Sequence, residues 1–246
     1  MNNLIILKKS LFSKSRPLFK LFTYFLLFFC AVLQSCSEDP FDADSGTFTD
    51  KRDGNIYQWV KIGEQIWMAE NLAYIPYVCA PDSQCGIWVY DYYGEGSFGT
   101  NYQTYGCLYN WEIAQEVCPE GWHLPSDEEW MEMESFLGMP EDQLDRSGII
   151  RGQEANVGGN LKEIGYTHWK EPNEGAINES GFSALPGGYL NVENSFSSIG
   201  GTAYFWTSSN EDDYYILCRL LHSYGGIVTR KKIEKNVALS IRCIKN

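Results

Sequence analysis

The sequence predicts an α+β fold. Three observations carry this: an alternating stretch near residue 60, a strongly helical region mid-chain, and a carboxy-terminal part rich in Gly, Ser, Thr, Tyr and Trp. From Ile56 to Trp67, in IYQWVKIGEQIW, apolar and polar residues alternate around Gly63-Glu64, the pattern of a hairpin with one buried face. Between Leu108 and Val117, Trp111, Ala114 and Val117 or Cys118 recur at spacings of three or four, one face of a first helix. A second helix starts at Ser126, where Glu129 completes a capping box, and Trp130, Met133 and Leu137 form its buried stripe. AYFWTSS, YYILCRLL and VALSIRCI read as later strands separated by loops.

The segment joining the two helices, NWEIAQEVCPEGWHLPSDEEW, crowds chemistry-bearing residues together, but each has a structural reason to be there. Pro119 stops the first helix and Gly121 permits a sharp reversal. His123, flanked by Trp122 and Leu124, is turned away from the core-facing pair. Asp127, Glu128 and Glu129 fall in the first helical turn, where the helix dipole favours negative charge. The segment is a scaffold corner and not a catalytic or metal site.

The amino terminus has the pattern of an export signal. Lys8, Lys9, Lys14, Arg16 and Lys20 occur with no acidic residue, and an apolar run follows from Leu21 to Leu33. That run is shorter than the roughly 20 residues a bilayer-spanning helix needs. LQSC, ending at Cys36, resembles the lipobox of bacterial lipoproteins, in which the cysteine is cut free and acylated. One acyl chain anchors only marginally, at about 0.8 kcal/mol per buried methylene, so several chains on Cys36 would hold the protein at a membrane. The following SEDP is similar to the acidic tag that directs Bacteroidota lipoproteins to the outer cell surface, which implies an outer-membrane, surface-exposed location.

After Cys36 the chain is acidic. The first 36 residues hold 5 of the 19 basic residues and none of the 32 acidic ones, which leaves 14 against 32, a formal charge of −18. Nucleic-acid phosphates would be repelled, so no nucleic acid is expected as a partner. Residues 1–35 read as a lipoprotein signal peptide and residues 36–49 as the lipidated cysteine and an acidic tether. The remaining chain of about 200 residues suffices for one domain with a sizeable core.

Cys79, Cys85, Cys107, Cys118, Cys218 and Cys243 remain beyond the signal, an even number that suits disulfide bonds in an exported protein. No CxxC occurs, so neither a zinc ribbon nor a thioredoxin-like centre is indicated. Cys79 and Cys85 are expected to pair at the entry to the stretch IWVYDYYGEGSFGTNYQTY. That stretch is dense in aromatic rings, which stack on sugars, and Asp91, Glu95 and Asn101 suit sugar hydroxyls. Trp88, Tyr90, Tyr92 and Tyr93 are therefore candidates for ligand binding, against the alternative that they cover a core.

The motifs DGNIYQWVKIGEQIWMAENLAY, YGCLYNWEIAQEVCPEGWHLPSDEEW, GGNLK, ESGFSALPGGYL, FWTSS and SIRCIKN occur in the order of the Fibrobacter succinogenes major paralogous domain. The chain over residues 50–246 resembles that family of bacterial surface and secreted proteins, which brings no catalytic residues with it. Trp111, Ala114, Cys118, Gly121, Leu124, Ser126 and Glu129 are similar to the first-helix pattern of C-type lectin-like domains. That resemblance implies two helices packed on a twisted, mainly antiparallel sheet with long loops, and a bridge from Cys118 to Cys243. Closing a loop of about 125 residues contributes on the order of 4 to 5 kcal/mol in the chain-entropy model. Cys107 and Cys218 are then left to pair by elimination.

Lectin-like folds often bind calcium through a Glu-Pro-Asn loop, and Glu171 to Asn173 has that sequence. Glu171 and Asn173 are accordingly candidate calcium ligands, although the Trp-Asn-Asp motif expected on a later strand is missing and a solvated turn explains the tripeptide equally. No other cofactor is indicated. The functional expectation is a surface-anchored binding or adhesion module for polysaccharide or a surface protein. The alternatives are a structural component of a cell-surface assembly and a hydrolase using carboxylates such as Glu171 and Glu179. Against an enzyme, the chain has no GxSxG, HExxH or Walker motif.

Overall fold

In the computed structural model, residue 41 and residues 43–148 and 150–246 are described. The expected signal and Cys36 lie outside them. Among the described residues no helix is long and apolar enough to cross a membrane.

The chain opens with β1 (Ser45–Thr49), β2 (Ile56–Ile62) and β3 (Gln65–Met68), followed by β4 (Ile87–Trp88) and the short helix α1 (Gly99–Tyr105). Next come β5 (Leu108–Asn110), α2 (Trp111–Ala114), β6 (Trp122–His123) and the main helix α3 (Asp127–Phe136). Two short helices, α4 (Glu141–Leu144) and α5 (Val157–Leu161), precede a long loop region. The hairpin of β7 (Tyr189–Leu190) and β8 (Phe196–Ser197) leads into β9 (Thr202–Asn210), β10 (Tyr215–His222) and β11 (Val228–Glu234), and β12 (Ala238–Leu239) and β13 (Ile244–Lys245) close the chain.

The strands form three sheets, in the orders β1-β2-β3-β13-β6, β4-β5-β12-β7-β8 and β11-β10-β9. Every pairing between these strands is antiparallel. The fold is thus α+β and mainly antiparallel. The predicted hairpin is present, with Ile62 opposite Gln65 across the Gly63-Glu64 turn. β2 buries Tyr57 and Trp59 on one face and Val60 and Ile62 on the other, each pair in its own core.

Residues 45–49 are strand and not tether. Ser45–Thr49 pairs along its length with Ile56–Val60, and Phe41 already stacks near Trp59 and Trp122. The folded part therefore begins earlier than residue 50. The first helix is also shorter than expected. Leu108 and Tyr109 pair in β5 with neighbours on β4 and β12, so sheet contacts override the helical spacing there. Helix starts only at Trp111, where the Asn110 side chain accepts from Ile113 N.

The second helix, α3, follows the sequence closely. The Ser126 side chain caps Glu129 N while Glu129 caps Ser126 N, and Trp130 and Met133 are fully buried. His123 joins the corner, its Nε2 lying 2.8 Å from Glu129 and its Nδ1 2.6 Å from Asn246. Beneath α3 lies an aromatic core of Trp67, Trp130, Phe182 and Phe205. A second core gathers Trp59, Tyr109, Trp111 and Trp206 on the other side of β9–β11.

Cys118 is bridged to Cys243 and Cys79 to Cys85. The third expected bridge is absent. Cys107 and Cys218 are both free thiols with no exposure, in the same core cluster. Cys218 directs its Sγ to Lys231 O on the neighbouring strand at 3.3 Å, and burial pushes both thiols up to about 12.

Candidate functional site

Of the four aromatic residues expected to bind ligand, one presents an open ring. Trp88 is 6% exposed, belongs to a small core with Cys79, Leu108, Leu190 and Ala238, and donates its Nε1 to Ala80 O at 3.0 Å. It is a packing residue and not a stacking platform. The half-buried Tyr90 leans on Phe196, and the half-buried Tyr92 packs against Phe98. Tyr93 is exposed, its ring edge-on to Phe196 at 5.8 Å. The aromatic density mainly covers an insertion whose glycine-rich stretch supplies little apolar area.

Within that insertion, Gly94-Glu95-Gly96-Ser97-Phe98-Gly99 has the GxGxxG spacing of a dinucleotide fingerprint. Its context is wrong for one. It lies between a two-residue strand of an antiparallel sheet and the seven-residue α1, with no parallel βαβ unit around it.

The Glu171-Pro172 bond is cis. Glu171 is exposed, whereas Asn173 is buried and donates its Nδ2 to Glu163 O and Gly165 O at 2.9 and 2.8 Å. Its Oδ1 is buried with no hydrogen-bond partner among the described residues. The described residues contain no group of three or more His, Cys, Asp or Glu suited to a metal ion. What organises this loop is an internal cation. The Lys162 ammonium is buried and donates to Glu174 O, His222 O and Gly225 O at 2.8, 2.9 and 3.0 Å. Burial lowers its pKa to about 8.

A different surface is indented. Three adjoining depressions of 230, 440 and 370 Å³ surround the end of the β10–β11 hairpin where β10 begins. The first two share Tyr215 and Glu234, the second and third share Lys235 and Asn236, and Val192 lies between the first and third. Trp88 contributes an edge to the third.

Sheet register builds the first depression. Tyr204 lies opposite Leu220, which lies opposite Thr229, while Cys218 lies opposite Lys231, so the two-residue alternation puts Tyr204 and Lys231 on one face. The β7–β8 hairpin adds Tyr189, whose ring packs on Tyr204 with centroids 4.5 Å apart. Asn191 Oδ1 accepts from Glu193 N and Ser195 N, which fixes the hairpin turn and leaves Val192 49% exposed. Lys232 and Glu234 alternate to the opposite face and reach the rim.

The local electrostatics are mixed. Lys232 pairs with Glu211 at 2.5 Å. Lys235 donates to Asp213 O at 2.8 Å and lies 4.8 Å over the Trp111 ring. Backbone hydrogen bonds from Tyr214 and Tyr215 hold the Asp212 carboxyl below its ordinary range, which also fixes the turn presenting both tyrosines. Lys231 makes no ion pair among the described residues. Such a surface offers rings, amides and one unengaged ammonium for binding. The one signal for it in the sequence is the basic run RKK at 230–232 in an otherwise acidic chain.

No curated protein and no solved structure matches the chain. Residues 60–245, from β2 to β13, match the Fibrobacter succinogenes major domain. That span contains both disulfides, α3 and the groove residues, and the chain belongs to this family of bacterial surface-associated domains.

Proposed function

We propose that the protein is a lipid-anchored, surface-displayed binding module for glycan or protein, of lectin-like architecture and without catalytic activity. The observation that carries the reading is the groove at the β10–β11 end, where Tyr189, Tyr204, Tyr215 and Lys231 come together from four separate segments. Tyrosine faces offer apolar area with polar tips, a combination suited to sugar rings and to protein hot spots. Glu171 and Glu179, the carboxylates a hydrolase would use, both lie exposed and neither lines the groove.

Cells displaying the full chain should retain a polysaccharide or a surface protein, and Tyr215→Ala with Lys231→Gln should abolish retention at unchanged surface level. Undiminished retention by that double variant would rule the groove out. A stable protein partner that co-purifies whatever the groove sequence, together with indifference to glycans, would favour a structural component of a surface assembly. Cys36→Ala should remove fatty-acid labelling, and persistent palmitate incorporation would refute the anchor. Calcium at Glu171 and Asn173 belongs to the same proposal, its support being the unpartnered Asn173 Oδ1. A calcium-induced rise in unfolding temperature that Asn173→Ala removes is its test.

A further inference from the structure

We infer that the groove selects a saccharide bearing an isolated carboxylate, in preference to both neutral chains and polyanions. The inference rests on the binding-module reading and names the ligand class. Among the described residues, three groups in the first depression lack protein acceptors: the Lys231 ammonium, the Asn191 side-chain nitrogen and the Tyr189 hydroxyl. Each of the three can donate, and the exposed Lys231 faces solvent with the half-buried Asn191 and Tyr189 beside it. A surface of solvent-facing donors beside tyrosine rings matches a ligand that offers acceptor oxygens beside an apolar ring face. The cavity, at 230 Å³, lies below the roughly 300 Å³ at which pockets for drug-sized ligands begin, the scale of one sugar ring with its substituents.

Charge sets the limit on the other side. Lys231 is the unpaired cation, but Glu211, Asp212, Asp213 and Glu234 surround the hairpin end, and Lys232 is already held by Glu211. One carboxylate can reach Lys231 at contact distance. A chain with charges on every unit would lay its remaining charges against these acids, within a Debye length of about 8 to 10 Å, on a domain whose overall charge already repels it. A charge-assisted hydrogen bond to the carboxylate accounts for roughly ten- to a hundredfold in affinity.

The test uses the full chain in detergent micelles and calorimetric titration. The probes are glucuronosyl-xylotriose, its carboxyl-reduced counterpart, hyaluronan tetrasaccharide and heparin tetrasaccharide. At least one of the two spaced-uronate probes should bind, carboxyl reduction should weaken binding tenfold or more, and heparin should not compete. Lys231→Gln should erase the difference between acid and reduced forms with unchanged thermal unfolding, and Lys231→Arg should keep it. Equal binding of acid and reduced forms overturns the carboxylate inference and leaves the glycan-binding reading standing. Tighter heparin binding overturns it as well. Binding of none of the probes, with a surface protein still captured through the groove, removes the saccharide altogether.

Discussion

Asp127 and Arg219 form a buried ion pair at 2.6 Å, with 2% and 0% exposure, that ties the first turn of α3 to the middle of β10. Arg230 closes on the same carboxylate at 2.7 Å, and Glu134 accepts from Arg219 at 2.6 Å and pairs with Arg151. The network spans helix, sheet and loop, and it locks the sheet whose opposite face carries Tyr204 and Lys231. Removing one partner strands the others without compensation.

Asp127→Ala is therefore expected to lower the unfolding free energy by about 3 to 5 kcal/mol, read by urea denaturation. A pH effect accompanies it. Burial raises the Asp127 pKa, but the hydrogen bonds and charges of Arg230 and Arg219 together outweigh burial and hold the carboxyl below its ordinary range. The native state thus binds fewer protons than the unfolded one, and this stabilisation is present above the unfolded value of about 3.9 and fades as pH falls through the lower folded value. The stability difference between the wild type and Asp127→Asn should shrink as pH falls from about 5 to about 2. A constant difference would show that the carboxylate's charge is not what matters.

Much of this frame was legible because its signals are local. The alternation at Ile56–Trp67 and the Ser126/Glu129 capping box each lie within a few residues, and both elements appear where expected. Signals failed where a tertiary partner decided the outcome. Ser45–Thr49 is short and mostly polar and becomes a strand because β2 lies beside it, and Val228–Glu234 carries Arg230, Lys231 and Lys232, residues that suit a solvent-facing edge strand more than a pattern search. The groove was illegible for the same reason: Tyr189, Tyr204, Tyr215 and Lys231 lie on four segments that only the sheet register brings together. For Trp88 the sequence left packing and ligand contact both open, because aromatic density does not say which side of a loop a ring faces, and burial decides for packing.

The two free thiols give a direct check on the cysteine pattern. Cys107 and Cys218 are fully buried and burial pushes each up to about 12, so neither forms thiolate at neutral pH. The native protein should not react with an alkylating reagent, and denaturation without reductant should release two reactive thiols. A peptide map showing Cys107 linked to Cys218 would contradict this arrangement.

The two bridges should differ in weight. Cys118 and Cys243 close a loop with a sequence separation of 125, against 6 for Cys79 and Cys85. Chain entropy assigns about 5 kcal/mol to the long loop and about 2 kcal/mol to the short one. Replacing Cys118 and Cys243 together by Ser should therefore lower the unfolding midpoint substantially, whereas the same change at Cys79 and Cys85 should have the smaller effect, confined in hydrogen exchange to the segment near β4. Equal losses would mean that native-state strain or packing, and not loop length, sets their contributions.

Lys162 offers the sharpest mutational test of the loop region. Its ammonium satisfies three carbonyls from two separate segments, Glu174 on one side and His222 and Gly225 on the other. Lys162→Met keeps most of the side-chain volume but leaves those carbonyls without their donor, at a cost of about 1 to 3 kcal/mol for each that water cannot reach. Hydrogen exchange should then speed up at Glu174, whose N–H bonds to Ser223 O, and at neighbouring amides that hold the loop to the end of β10. The Tyr215 side of the groove lies at the other end of β10, roughly 23 Å from His222 at about 3.3 Å per residue, so the contacts a ligand makes there should survive the substitution at temperatures where the protein stays folded. Loss of binding by folded Lys162→Met would show instead that the two ends of β10 are coupled.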